Sequence, residues 1–320
     1  MSLSKKVIYR FFNCYWAKAL WMERKYFTGE KMADFQPMII SSIDGRRNML
    51  GLTDRFKGIV TCYALSKVQN IPYKCNFTHP FNLDQILVPN KYDWTVKENQ
   101  LTNYRNDAKI IILRKSPTLK PLLRYFPIKK QLHVYANFDY LDEINRRYNT
   151  NFTFGALFNE LFKPSEELQQ QIDHHLNQIG EPFVACVFRF QSLLNDFKEY
   201  KFKNINDEQL REMLIKKNVD AVKKIINMTN KKVLVTSDSI TFLKEISKVE
   251  GVYTLPGEIV HMGCTFDKST SVYMKSFLDF YMLSNADEVY SIGTKEMYNT
   301  QFPRYAALLG NVPFQRIRVA

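Results

Sequence analysis

Glycine and proline are scarce in this chain, at 11 and 12 of 320 residues. That excludes collagen-like arrays and low-complexity linkers, and no internal repeat is visible. Cysteine is sparse as well: Cys14, Cys62, Cys75, Cys186 and Cys264 are odd in number, and none forms a Cys-x-x-Cys pair. Buried free thiols in a reducing compartment are expected, not a disulfide framework. No run of 18 apolar residues occurs, so no membrane-spanning helix is expected. Arg10, Asn13 and Lys18 break the opening stretch, so no secretory signal is expected either. Gly-x-Gly-x-x-Gly and Gly-Lys-Ser/Thr loops are missing. So is any Asp-x-Asp, the carboxylate pair that commonly holds Mg²⁺ or Mn²⁺ on a diphosphate. Adjacent His174 and His175 fall on different faces of an expected helix, so no metal site is expected.

What is present suffices for two cores. Apolar residues make up 45% and aromatics 14%, and the length fits two domains of about 150 residues. The net charge of +13 is uneven. Residues 1–160 carry 25 Lys/Arg against 13 Asp/Glu, and residues 161–320 carry 20 against 19. A basic first half implies a negatively charged surface or substrate facing it, or simply a well-solvated lysine-rich surface.

In residues 7–27, Ile8, Phe11, Phe12, Tyr15, Trp16, Ala19 and Leu20 recur at helical spacing, with Arg10, Lys18, Arg24 and Lys25 off that stripe. The pattern is an amphipathic helix that either lies on an anionic membrane or caps a sheet. A strand is expected at Met38–Ile43, then a polar loop, then a helix to about Val68 with Thr53 as its N-cap. Strand, Gly-containing loop and helix N-terminus together are suited to an anion. Further strands are expected at Ile71–Phe77, Lys109–Leu113 and Gln131–Phe138, and helices at Leu141–Tyr148 and Phe152–Phe162. The domain boundary is placed near Lys163, giving domains 1–163 and 164–320.

The second half alternates helix and strand. Strands are expected at 183–190, Val233–Asp238, Val252–Leu255, Glu288–Ile292 and Phe314–Val319. Between them stand helices at Asp207–Met228, Ile240–Lys248, Val272–Ser284 and Tyr298–Leu309. Such alternation implies a parallel, doubly wound sheet. The stretch 183–190 is apolar until Arg189, as suits a central strand. Ligands of open α/β sheets sit beyond the carboxyl ends of the strands, so Arg189 there is either an ion-pair partner or a clamp on something negative.

These segments resemble the motifs of the GDP-fucose-dependent fucosyltransferases, the group with nodulation-type, plant cell-wall, core alpha-1,6 and protein O-fucosyltransferases. Gly51-Leu52-Thr53-Asp54-Arg55-Phe56-Lys57-Gly58-Ile59 resembles their Gly-Leu-Gly-Asp/Asn-Arg-Leu-Lys/Arg loop, with Thr53 at a glycine position. Val187-Phe188-Arg189-Phe190 resembles the strand ending in His-x-Arg-Arg, with Phe188 in place of the histidine. Thr236-Ser237-Asp238-Ser239, the stretch Leu278–Asp287 containing Asp279, and Tyr298–Ala307 resemble three more motifs in the same order.

The resemblance implies a GT-B-like α/β fold of two facing Rossmann-like, doubly wound domains. The first would be the acceptor side and the second would hold the nucleotide sugar. It implies a metal-independent, inverting transfer of fucose from GDP-fucose, or a related GDP-sugar, to a glycan or lipid-linked oligosaccharide, with no separate cofactor. Arg189 would take the β-phosphate, and Gly51, Asp54, Arg55, Asp238, Ser239, Asp279, Thr300, Gln301 and Phe302 are the other candidate donor-site residues. Asp238 or Asp279 would meet the guanine edge or the ribose, or else cap or pair locally. Asp54 and Arg55 would face the acceptor or pair with each other. A cytoplasmic protein, peripheral at the inner membrane face through its basic half, is expected. Two other readings stay open: a nucleotide-sugar- or glycan-binding protein without turnover, and a basic nucleic-acid-binding protein, for which no motif is present.

Overall fold

The computed structural model describes residues 15–113, 117–180, 182–196, 204–260, 262 and 269–319. They form two compact units. The first runs to Asp84 and from Val88 to Lys163; the second holds Gln85–Leu87 and everything from Pro164.

The first unit opens with α1 (Tyr15–Tyr26), the described part of the helix expected over 7–27; residues 7–14 lie outside the described residues. Ala19, Met22 and Glu23 are its buried residues. The Glu23 carboxylate accepts the Ile110 N–H at 2.9 Å and pairs with Lys109 at 3.0 Å, tying the helix to a strand. Trp16 and Trp21 are 54% and 55% exposed. Next come β1 (Met38–Ile43), α2 (Leu52–Gln69), β2 (Tyr73–Phe77), β3 (Leu87–Pro89), β4 (Ala108–Ile112), α3 (Lys120–Leu123), β5 (Gln131–Tyr135), α4 (Leu141–Tyr148) and α5 (Phe154–Leu161). The parallel sheet has the order β2-β1-β5-β4. Strand order therefore reverses between β1 and β5.

Helix α2 starts two residues earlier than expected. Its N-cap is Gly51, not Thr53, and no side chain caps it. The preceding Leu50 sits at φ 66, a costly region for a bulky residue. Buried Arg55 holds that turn by donating from Nε to the Leu50 carbonyl at 3.1 Å and from Nη1 to the His79 carbonyl at 2.6 Å. Further along, a Cβ on Gly58 would lie 1.9 Å from the Ala136 carbonyl oxygen. The helix can approach the end of β5 that closely only because no side chain is there.

The second unit continues after β6 (Phe162–Pro164) with α6 (Glu166–Ile179), β7 (Phe183–Phe188), α7 (Glu208–Thr229), β8 (Lys232–Ser237) and α8 (Ile240–Ile246). It ends with β9 (Val252–Thr254), α9 (Ser271–Ser284), β10 (Glu288–Gly293), α10 (Phe302–Gly310) and β11 (Phe314–Arg318). Its parallel sheet has the order β11-β10-β7-β8-β9. All six residues of β7 are buried, as a central strand covered on both faces requires. The Phe188, Phe190 and Phe242 rings pack at centroid distances of 4.6 Å and 4.9 Å around Phe242. Each such ring contributes about 1.5–3 kcal/mol on leaving water.

Ser165, Asp207 and Ser239 cap α6, α7 and α8 by accepting the N–H three residues on. Asparagine takes over a task that glycine usually performs. Asn70, Asn149, Asn230 and Asn311 end α2, α4, α7 and α10 at φ between 49 and 53, and a short polar side chain tolerates that left-handed turn. A glycine-poor chain stops its helices this way.

Of the expected boundaries that move, two shape the carboxyl edge of this sheet; elsewhere the strand expected to Phe138 ends at Tyr135 and the helix expected to Lys248 ends at Ile246. The strand expected to 190 ends at Phe188, because the Phe190 N–H leaves the ladder for the Asp238 carboxylate at 2.7 Å. The helix expected from Tyr298 begins at Phe302, with Pro303 in its first turn, where a missing N–H costs nothing. Cys62, Cys75 and Cys186 are buried free thiols, and burial pushes Cys62 up to about 12. Cys14 and Cys264 lie outside the described residues. Among the described residues no helix is long and apolar enough to cross a membrane.

Candidate functional site

Strand order in the second unit reverses between β7 and β10, and the carboxyl ends of those two strands flank the crevice where open α/β sheets bind ligands. Arg189 stands one residue past β7. The loop 294–301 stands past β10 and leads into α10. The two are in contact, since the Tyr298 N–H donates to the Arg189 carbonyl at 3.3 Å.

The Arg189 guanidinium is ion-paired. Nη1 lies 2.9 Å from Oδ2 of Asp238, with side chains 18% and 4% exposed. The same carboxylate accepts the Phe190 and Gln191 N–H groups, both at 2.7 Å. Gln191 is held at φ 55 by this arrangement, a left-handed conformation that needs such support. Burial raises Asp238 above the ordinary carboxylate range, against the pull of Arg189 and the backbone N–H groups. Asp238 is therefore not a helix cap. That task falls to Ser239, whose hydroxyl accepts the Phe242 N–H at 3.0 Å and donates to Asp196 at 2.7 Å. Asp196 also accepts the Thr241 N–H at 2.7 Å.

Phe188, where the resembled motif has a histidine, is a core residue 1% exposed. Thr300 accepts the Phe302 N–H at 3.2 Å, and Gln301 is the N-cap of α10 without a side-chain capping bond. The structure thus brings Arg189, Asp238, Ser239, Thr300, Gln301 and Phe302 to one edge of one sheet. Asp279 is different. It lies within α9, in a buried pair whose Lys275 Nζ reaches both carboxylate oxygens at 2.8 Å and 2.9 Å. Burial raises Asp279 and Lys275 opposes the rise.

Gly51, Asp54 and Arg55 belong to the first unit. Asp54 pairs with Lys57 at 2.5 Å, and Arg55 supports the turn into α2. At the carboxyl edge of that sheet the Tyr135 hydroxyl donates to Asp44 at 2.9 Å, and Arg46 lies 3.4 Å from the same carboxylate. Burial and then the Asp44 charge push the Tyr135 phenol up.

Two residues at the second unit's edge carry no motif. Arg316 and Arg318 of β11 line a cleft with Ser291, Gly293, Tyr298 and Asn299. Two arginines two apart in a terminal strand was the only sequence signal for them. Among the described residues no group of three or more His, Cys, Asp or Glu is placed to hold a metal ion.

No protein-family model matches the chain, and no curated protein sequence matches it. Solved structures do. The NodZ alpha-1,6-fucosyltransferase soaked with GDP-fucose matches with a TM-score of 0.52 at 15% identity, over 86% of this chain and 92% of that one. The same enzyme co-crystallised with GDP matches at 0.50 and 14%, over 86% and 93%. Selenomethionine NodZ from Bradyrhizobium gives 0.53 at 14% identity, over 86% and 93%. The chain has the fold of the fucosyltransferase NodZ, at a sequence distance that makes it a divergent example of that fold.

Proposed function

We propose that this protein is a metal-independent, inverting glycosyltransferase that moves fucose, or a related sugar, from GDP to a glycan or lipid-linked oligosaccharide. Fold alone does not carry an activity. The observation that supports this one is the convergence of Arg189, Asp238 and the loop opening α10 at the β7/β10 reversal. Breaking the glycosidic bond leaves charge on a diphosphate, and cations with preorganised N–H groups aimed there lower that barrier. Arg189 is the cation assigned to the β-phosphate, with Asp238 fixing its plane. Thr300, Gln301 and Phe302 are assigned to the same diphosphate through the loop that leads into α10, where the Phe302 N–H already donates to the Thr300 hydroxyl and the Thr300 N–H to the Tyr298 carbonyl. The first unit is assigned to the acceptor side, with Gly51 and Arg55 shaping the turn into α2 and Asp54 held by Lys57. Incubation with GDP-fucose, GDP-mannose and mixed acceptors is expected to release GDP equally with and without EDTA. No release from any GDP-sugar, or complete loss in EDTA, would contradict the proposal.

The same reading makes the protein cytoplasmic and peripheral to a membrane through α1. Trp16 and Trp21 are exposed, Arg24 and Lys25 stand in the last turn of the helix, and the Lys25 ammonium lies 5.0 Å from the Trp21 ring centroid. Tryptophan with basic neighbours suits an anionic headgroup layer. Sedimentation with phosphatidylglycerol vesicles, but not phosphatidylcholine vesicles, is expected. Trp16→Ser/Trp21→Ser should remove it, and equal sedimentation of both proteins would refute the contact.

A further inference from the structure

The Arg189–Asp238 pair is neutral as a unit, whereas a nucleoside diphosphate brings more than one negative charge to the edge where that pair lies. Cations without a carboxylate partner stand close by. In β11, Arg316 pairs in register with Ser291 and Arg318 with Gly293. Residues two apart in a strand share a face, so both guanidinium-bearing chains rise from the same side of the sheet. Arg316 donates from Nη2 to the Thr300 carbonyl at 3.2 Å, which ties it to the loop in contact with Arg189. Both arginines line the cleft formed by that loop. Among the described residues neither they nor Arg304 forms an ion pair with a carboxylate. Burial, and after it the like charges of Arg304 and Arg318, pulls Arg316 below its ordinary value. Cations gathered against their mutual repulsion are relieved by an anion.

We propose that Arg316 and Arg318 form a phosphate-binding cradle for a nucleoside diphosphate, beside the loop that leads into α10. The guanidinium fork matches a phosphate's oxygens in pairs. The nucleotide's identity rests on the function proposed above; the phosphate chemistry does not.

Calorimetric titration of the full chain with pyrophosphate, GDP and guanosine tests the cradle. Wild type is expected to bind pyrophosphate and GDP, more weakly as salt rises. Losing two charge-assisted contacts should weaken both ligands in Arg316→Ala/Arg318→Ala by about 10²–10³-fold and leave guanosine unchanged. Arg316→Lys/Arg318→Lys should recover only part of the loss. Both residues are exposed, so the alanine variant is expected to melt with the wild type when no ligand is added, while pyrophosphate raises the melting temperature of the wild type alone. Equal pyrophosphate binding by wild type and alanine variant, or none by wild type, would overturn the cradle. Pyrophosphate binding that depends on Arg316 and Arg318, in a protein that transfers no sugar, would leave the cradle standing and remove the glycosyltransferase reading.

Discussion

Arg189→Ala is expected to slow sugar transfer about 10²–10³-fold, the usual cost of one lost charge-stabilising donor, and to destabilise the second unit by about 3 kcal/mol. The second effect comes from Asp238, whose 4% exposed carboxylate loses its ion-pair partner; stranding one member of a buried pair costs that much. Two bonds from the Phe190 and Gln191 N–H groups remain, so the loss should sit at the low end of the range. Two companion variants separate the effects. Arg189→Ala/Asp238→Asn, which removes the stranded charge and keeps an oxygen for one of the two N–H groups, should recover part of the stability but not turnover. Arg189→Lys should recover much of the stability and little of the rate, because an ammonium lacks the fork. The sign of the pH dependence follows from burial, which already raises Asp238. An acid whose folded value lies above its unfolded value loses stability as pH rises through the window between the two. Without Arg189 that window widens upward, so the deficit of Arg189→Ala should be smaller at about pH 5 than at about pH 8. Thermal unfolding at both values and kcat/KM for GDP-fucose are the measurements. Wild-type melting together with wild-type turnover would sink the assignment.

Lys275→Met is expected to be strongly destabilising. It leaves the Asp279 carboxylate, in a side chain 14% exposed, without the ammonium that meets both of its oxygens. The cost is about 3–5 kcal/mol. Lys275→Met/Asp279→Leu should return stability close to the wild-type value, since apolar replacements of both partners are often neutral or better. The double variant also decides the role of Asp279. If the residue only holds α9, GDP affinity survives once stability is restored. A stable double variant that has lost GDP would mean that Asp279 contacts the nucleotide.

The elements of the second unit were legible because the sequence alternates without interruption between apolar runs and capped helical stretches. Ser165 and Asp207 stand one residue before α6 and α7, and a continuous apolar run marks β7. The boundaries that moved did so for reasons no periodicity carries. Phe190 leaves its strand for a carboxylate 48 positions away, and Gly51 caps α2 by backbone shape alone. The site was half legible. Arg189, Asp238, Ser239 and Thr300–Phe302 announce themselves as polar groups at strand ends, and five ordered motifs carry the resemblance. That Asp238 would pair with Arg189 rather than cap a helix depends on β7 and β8 being neighbours, a tertiary fact. Asp279 and Lys275, four apart on one helix, offered a local signal for their pairing. Arg316 and Arg318 gave almost none, because an edge strand with two arginines reads as a solvated rim until the sheet places it beside β10.

Amide hydrogen exchange with and without GDP addresses the nucleotide site most directly. Slower exchange in GDP is expected at residues 189–196 and 294–302, the segments that follow β7 and β10. Protection confined to residues 15–84, or no protection anywhere at saturating GDP, would contradict a nucleotide site at that sheet edge.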